Sequence, residues 1–206
     1  LNNKISINKF KENKLIVATH NSGKLLEIKN LLQDVDVDIY SSIEMGLPVP
    51  KEIGSSFEEN AYIKSSETTL ISGFASLSDD SGLIINALDG SPGIYSADWS
   101  GKNRDFSDAI RKIEYLMKNK TDFSASMICV LCLSWSNKDF KVFRGEMAGK
   151  IKFPPKGNNG FGYDPIFIPD TQPFNNLSLT YGEIDPFLKN NNSHRNIAFN
   201  KFLKSI

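Results

Sequence analysis

The chain connects its apolar segments in two different ways, and that mixture confines it to a mixed α/β sheet. Residues 14–19 (KLIVAT) form a short apolar run that feeds the polar loop His20-Asn21-Ser22-Gly23 and then a helix with Leu25, Ile28, Leu31 and Leu32 at helical spacing. Asn21 or Ser22 can cap that helix. Further on, residues 124–135 (SASMICVLCLSW) read as a buried strand, separated from another at 140–143 by the hairpin signal Ser-Asn-Lys-Asp. Hairpins among strand–helix units predict a mixed sheet rather than a purely parallel one.

The other predicted elements fit this frame. A helix covers residues 56–72, after a loop punctuated by Pro48 and Pro50. A strand at 74–78 leads into an acidic turn, Ser78-Asp79-Asp80-Ser81-Gly82, and a second strand leaves over 82–87. Residues 89–101, rich in Gly, Pro and Ser, are a loop. A third helix spans 106–119 on Ile110, Ile113, Leu116 and Met117, and 145–151 continues the sheet. Residues 152–165 form a Gly/Pro-rich loop, 166–168 a short strand, and 193–206 a closing helix capped by Ser193.

With 206 residues the chain suits one α/β domain, or two lobes sharing a sheet. Lys+Arg and Asp+Glu both number 24, a zero balance that argues against a nucleic-acid backbone or an anionic membrane as main partner. A small anionic substrate needs only a local cation cluster. No apolar run approaches the ~20 residues of a membrane span. The polar, Lys/Asn-rich residues 1–13 are expected to be a flexible leader and 14–206 a single domain, with the cytoplasm as default location. Cys129 and Cys132 have C-x-x-C spacing, but residues three apart on a strand face opposite ways and no second Cys/His pair accompanies them. They are expected to be inert core thiols.

Four patches are more polar than packing requires. Thr19, His20, Asn21, Ser22, Gly23 and Lys24 lie between a strand end and a helix start, where backbone N–H groups and a first-turn Lys favour an anion. Taken alone the patch reads more simply as a capped helix with one exposed Lys, and Ala18 and Leu25 exclude a Walker A loop. Asn60 and Lys64 share a helix face with Phe57, as a solvated face would also arrange. Asp79 and Asp80 are either an ordinary turn or a site for hard Mg²⁺, with one carboxylate orienting or deprotonating a water. In residues 157–165 the glycines allow close approach, and Phe161 and Tyr163 can stack on a base. Asp164, His194 and Arg195 offer edge hydrogen bonds, although His194 and Arg195 also fit a surface helix cap.

In order along the chain stand A-T-H-N-S-G-K (18–24), F-E-E-N-A-Y-I-K (57–64), D-D-S-G-L (79–83), D-G-S-P-G-I-Y-S-A (89–97), G-N-N-G-F-G-Y-D-P-I-F (157–167) and S-H-R (193–195). Together they resemble the inosine triphosphate pyrophosphatase family, hydrolases of non-standard purine nucleoside triphosphates such as dITP/ITP and XTP/dXTP. The resemblance implies an elongated, two-lobed α/β protein with a central mixed twisted sheet flanked by helices, a cleft between the lobes and a homodimer. It implies Mg²⁺ and cleavage to nucleoside monophosphate and pyrophosphate.

Carried over residue by residue, Thr19 to Lys24 and Lys64 hold the triphosphate. Asp80 is the general base and a metal ligand, with Ser81 beside the substrate. Phe161, Gly162, Tyr163 and Asp164 take the base, joined by Lys189, His194 and Arg195. Three features depart from the pattern. His20 stands where Gly is commoner, Lys51-Glu52 replaces an acidic pair so that Glu52 alone is left as second metal ligand, and Asn190–Asn192 precede S-H-R. Competing readings are a pyrophosphatase of modified pyrimidine nucleotides and a nucleotide-binding regulator without turnover.

Overall fold

In the computed structural model, which describes residues 5–6, 13–33, 35–101, 105–135, 139–173 and 177–205, the expected mixed sheet is present. The described elements run β1 (Ile5–Ser6), β2 (Lys14–Ala18), α1 (Ser22–Leu31), β3 (Val35–Asp36), β4 (Asp38–Ser41), α2 (Phe57–Ser72), β5 (Ser76–Ile85), α3 (Phe106–Met117), β6 (Ser124–Ser134), β7 (Phe140–Ile151), β8 (Phe167–Pro169), α4 (Pro186–Asn192) and α5 (His194–Leu203). Six strands form one sheet in the order β4-β2-β5-β6-β7-β8. β2 is parallel to β4, with Leu15 opposite Ile39, and parallel to β5, with Val17 opposite Leu77. β7 and β8 are antiparallel. β1 and β3 pair separately; most of residues 1–13, the expected leader, lies outside the described residues.

Local chemistry sets the helix ends. Asn21 Oδ1 accepts Lys24 N at 3.1 Å and starts α1, which buries Ile28. Ser56 Oγ accepts Glu59 N at 3.1 Å and starts α2; Gly73, at φ 76°, ends it in the left-handed conformation. Ser193 Oγ accepts Asn196 N, so the expected cap is in place on α5. The short α4 was not anticipated. Its signals are Asp185, whose carboxylate accepts Phe187 N at 2.9 Å, and Pro186 in the first turn, where a missing N–H costs nothing.

The largest departure from the sequence reading is the acidic segment. Residues 78–82 are not a turn between two strands but the middle of the continuous strand β5. Asp, Ser and Gly favour turns when nothing else fixes them. Here β2 pairs alongside, Ala18 opposite Ser78, and both carboxylates meet lysines, so tertiary context overrides local propensity. Residues 140–143 and 145–151 likewise fuse into the single strand β7.

The chain divides into two compact units: Leu1–Asp80 with Cys129–Arg144 and Ala198–Ile206, and Ser81–Ile128 with Gly145–Ile197. The first has a core of Leu15, Val17, Ile28, Leu77, Leu131, Phe199 and Phe202 among others. The second is built on Leu83, Ile85, Ile113, Met127, Phe167 and Tyr181.

Candidate active site

The pleat of β5 separates the two acidic residues. Successive side chains on a strand point to opposite faces, so Asp79 and Asp80 do not confront each other. Asp79 shares its face with Leu77 and looks toward α1, where Lys24 Nζ sits 2.6 Å from Asp79 Oδ1. Asp80 shares its face with Ser78, whose hydroxyl donates to Ala61 O of α2. From that helix Lys64 Nζ reaches 2.6 Å from Asp80 Oδ1, and 3.1 Å from Glu52 Oε1.

Lys64 and Asn60 are therefore not on a solvated helix face. α2 turns Asn60, Lys64, Ser65, Thr68 and Thr69 inward, and both residues of the suspected pair are almost fully buried. Buried polar groups on a helix need partners, and these have them. Asn60 Oδ1 accepts Gly54 N at 2.8 Å, which pins the loop that carries Glu52. A Cβ at Gly54 would come within 2.8 Å of Asn60 Oδ1, so only glycine permits the approach.

Burial pushes the Asp80 carboxyl up to about 6, outweighing Lys64 and Lys24; Glu52 adds to the rise. At Lys64 burial acts to lower the pKa, but Asp80, Glu52 and Asp79 together raise it. The pair thus keeps its cation throughout the neutral range and gives up its anion near pH 6. Asp80 Oδ2 is buried without a hydrogen-bond partner, an arrangement that costs free energy unless something else occupies that oxygen.

Such an oxygen suits a hard cation. Mg²⁺ binds through one or two carboxylates, keeps several waters, and takes the rest of its ligands from phosphate. Asp80, with the 44 % exposed Glu52 side chain beside the same ammonium, provides that donor set. Among the described residues no three His, Cys, Asp or Glu side chains converge to form a closed metal cage.

The loop before α1 and the first turn of that helix carry Thr19, His20, Asn21, Ser22, Gly23 and Lys24 in sequence. Thr19 Oγ1 accepts Asn21 N, and His20 Nε2 donates to Leu47 O at 3.3 Å, tying the loop to the turn that follows β4.

A second cluster lies within the second unit. Asp164 Oδ2 accepts Phe161 N at 2.7 Å and Lys189 Nζ at 2.7 Å, with both charged side chains almost wholly buried. Gly160 lies so close that a Cβ there would strike Asp164 Oδ2. Phe161 remains partly exposed, with Lys189 Nζ 5.1 Å and Arg195 Cζ 5.8 Å from its ring centroid. Arg195 is 1 % exposed and donates to Ser81 Oγ at 3.2 Å. His194 is buried too, its ring 6.4 Å from that of Tyr181. The surface-cap reading of this pair does not hold.

Tyr163 turns away from Phe161. Its ring is buried edge-on against Phe106 at 5.1 Å, and its hydroxyl donates to Ser96 O. Burial raises its pKa well above the ordinary tyrosine value. Gly162, in the left-handed region at φ 67°, reverses the chain between these two rings.

These features sit on a chain whose residues 15–205 match the model of the Ham1 family. The chain belongs to the Ham1 family. A dITP/XTP pyrophosphatase of Brucella melitensis is 44% identical over 184 residues, covering 85% of this chain and 81% of that protein. One of the same name from Agrobacterium fabrum is 40% identical over 207 residues, covering 93% and 94%. A HAM1 protein structure from Coxiella burnetii superposes with a TM-score of 0.84 at 35% identity, over 93% of this chain and 97% of that one.

Seen as a Ham1 protein, the chain places all six motifs in the two clusters or their supports. Sequence reasoning did not foresee four of these contacts. Asp79 is the partner of Lys24, Cys129 donates to Asp79, Asn60 holds the Glu52 loop, and Ser96 receives both Leu83 N and the Tyr163 hydroxyl. Asp79, Asn60 and Ser96 stand inside quoted motifs and carried a signal; Cys129, in an apolar run, carried none.

Proposed function

We propose that this chain is a nucleoside triphosphate pyrophosphatase that hydrolyses non-standard purine nucleoside triphosphates, dITP/ITP and XTP/dXTP, to nucleoside monophosphate and pyrophosphate. The observation that carries the reading is the buried, unpartnered Asp80 Oδ2 beside Lys64 and Glu52, in a Ham1-family chain.

In this reading the loop Thr19, His20, Asn21, Ser22, Gly23 takes the polyphosphate through backbone N–H groups at the start of α1. Lys24 and Lys64 neutralise its charge. Asp80 orients the attacking water and receives its proton; its raised pKa makes it a competent base at neutral pH. Mg²⁺, held by Asp80 and Glu52, supplies charge neutralisation at the phosphate oxygens when bound.

The base stacks on Phe161, with Arg195, Lys189, His194 and Ser81 beside it. Tyr163, Gly162 and Asp164 act by holding the loop in shape. Cationic donors favour a 6-oxo purine, and adenine's amino group would face a donor with a donor. Mismatches of that kind reach about 10⁴-fold discrimination.

The proposal extends to a homodimer and to the cytoplasm; among the described residues no helix is long and apolar enough to cross a membrane. Pyrophosphate release from ITP, ATP and a thymidine triphosphate, with Mg²⁺ or with EDTA, tests the activity. Release from ITP that needs Mg²⁺ and greatly exceeds the other two is expected. Equal rates on all three, preference for the thymidine nucleotide, or binding of ITP without release would overturn it. Light scattering at the calculated dimer mass tests assembly.

A further inference from the structure

Cys129 lies on β6 with no accessible surface, among the apolar side chains of the first unit's core. Alanine or valine would fill such a place. The sulfur does something these cannot: Cys129 Sγ donates to Asp79 Oδ2 at 3.1 Å. The other oxygen of that carboxylate, Oδ1, meets Lys24 Nζ at 2.6 Å, and the Asp79 side chain has no exposed surface at all. A carboxylate removed this far from water needs donors on both oxygens, and two donors at fixed positions also fix its rotamer. Cys132 serves as a natural contrast. It faces the other way on the same strand, with Ser134 Oγ 4.0 Å from its sulfur, and burial raises its pKa.

We propose that Cys129 is a positioning residue for Lys24: by donating to Asp79 Oδ2 it sets the carboxylate so that Oδ1 holds the Lys24 ammonium at the phosphate-binding loop. The effect on substrate rests on the reading of Lys24 as a triphosphate ligand given above. Nothing covalent happens at the sulfur. Its contribution is a hydrogen bond to a charged acceptor, passed through Asp79 to the lysine.

The experiment compares Cys129→Ala, Cys129→Ser and Cys132→Ala in pyrophosphate release from ITP, alongside the infrared S–H stretch. Cys129→Ala is expected to raise KM by about three- to tenfold, the worth of one hydrogen bond to a charged group weakened by sulfur as donor, with kcat within about twofold. Cys129→Ser keeps a donor and should restore KM to near the wild-type value; Cys132→Ala should leave it unchanged. A role in packing alone would move the alanine and serine variants together, or leave KM untouched, and either result overturns the proposal.

The spectrum needs no turnover. In Cys132→Ala protein the remaining S–H band should lie at the low frequency of a hydrogen-bonded thiol and rise on adding Asp79→Asn. A band at the free-thiol frequency refutes the contact even in an active enzyme. If the wild type releases no pyrophosphate, the proposed function fails while the spectrum still decides the thiol–Asp79 link.

Discussion

Two of the chain's buried Asp–Lys pairs serve different ends. Asp80 and Lys64 lie 2.6 Å apart in the first unit, Asp164 and Lys189 lie 2.7 Å apart in the second, and all four side chains are nearly sealed from water. What differs is the rest of each carboxylate's company. Asp164 Oδ2 accepts a backbone N–H as well as the ammonium, so the pair closes the glycine loop that presents Phe161. Asp80 gives Oδ1 to Lys64 and leaves Oδ2 buried without a partner. The first arrangement is a staple. The second holds an oxygen in reserve and a pKa of about 6, which is how burial prepares a group for chemistry.

Substitutions can break this contrast. The largest expected effect is at Asp80: Asp80→Asn should lower kcat for pyrophosphate release by about 10²- to 10⁴-fold, the usual worth of a positioned acid–base group, with ITP binding retained in calorimetry. Near-normal turnover would end its assignment as base. Asp164→Ala should act on the fold instead, stranding a buried ammonium at a cost of about 3–5 kcal/mol in urea unfolding. A fully stable Asp164→Ala protein with kcat as low as Asp80→Asn would make the two pairs alike.

Smaller effects sharpen the same division. Phe161→Ala removes a stacking ring worth about 1–3 kcal/mol per base, so KM for ITP should rise by roughly five- to a hundredfold while kcat holds. Tyr163→Phe deletes only the hydroxyl that donates to Ser96 O. It should lower stability by about 1 kcal/mol and leave both kinetic constants near wild type. A KM change at Tyr163→Phe that matches Phe161→Ala would put both rings on the substrate.

Much of this was legible in the sequence. The mixed sheet followed from strand–helix and hairpin signals, and Asn21 and Ser193 announced their helices as caps. The residues of both clusters were found through motif order rather than through their individual chemistry. What stayed hidden depended on tertiary partners. Residues 78–82 carry turn propensity that the neighbouring β2 and two lysines override. Helical spacing put Asn60 and Lys64 on one face but could not say that the face is buried. Phe161 and Tyr163 are equal candidates for stacking until Phe106 and Ser96 show that the tyrosine points inward. The thiol of Cys129 reads as core because its carboxylate acceptor lies 50 residues away.

The central claim is that ionised Asp80 carries the chemistry. It is tested most directly by the pH dependence of kcat/KM for ITP with Mg²⁺ held equimolar to the nucleotide, so that the free enzyme's Asp80 carries no metal, in wild type and in Asp80→Asn. The Asp80 pKa is raised, so the carboxylate is ionised above about pH 6 and protonated below it. The active form is therefore lost as pH falls. Wild-type kcat/KM should be level near pH 7.5 and drop about tenfold per unit below pH 6, with that acid limb missing from the residual activity of Asp80→Asn. A wild-type profile that stays flat to pH 5, or the same limb in both proteins, would contradict the account.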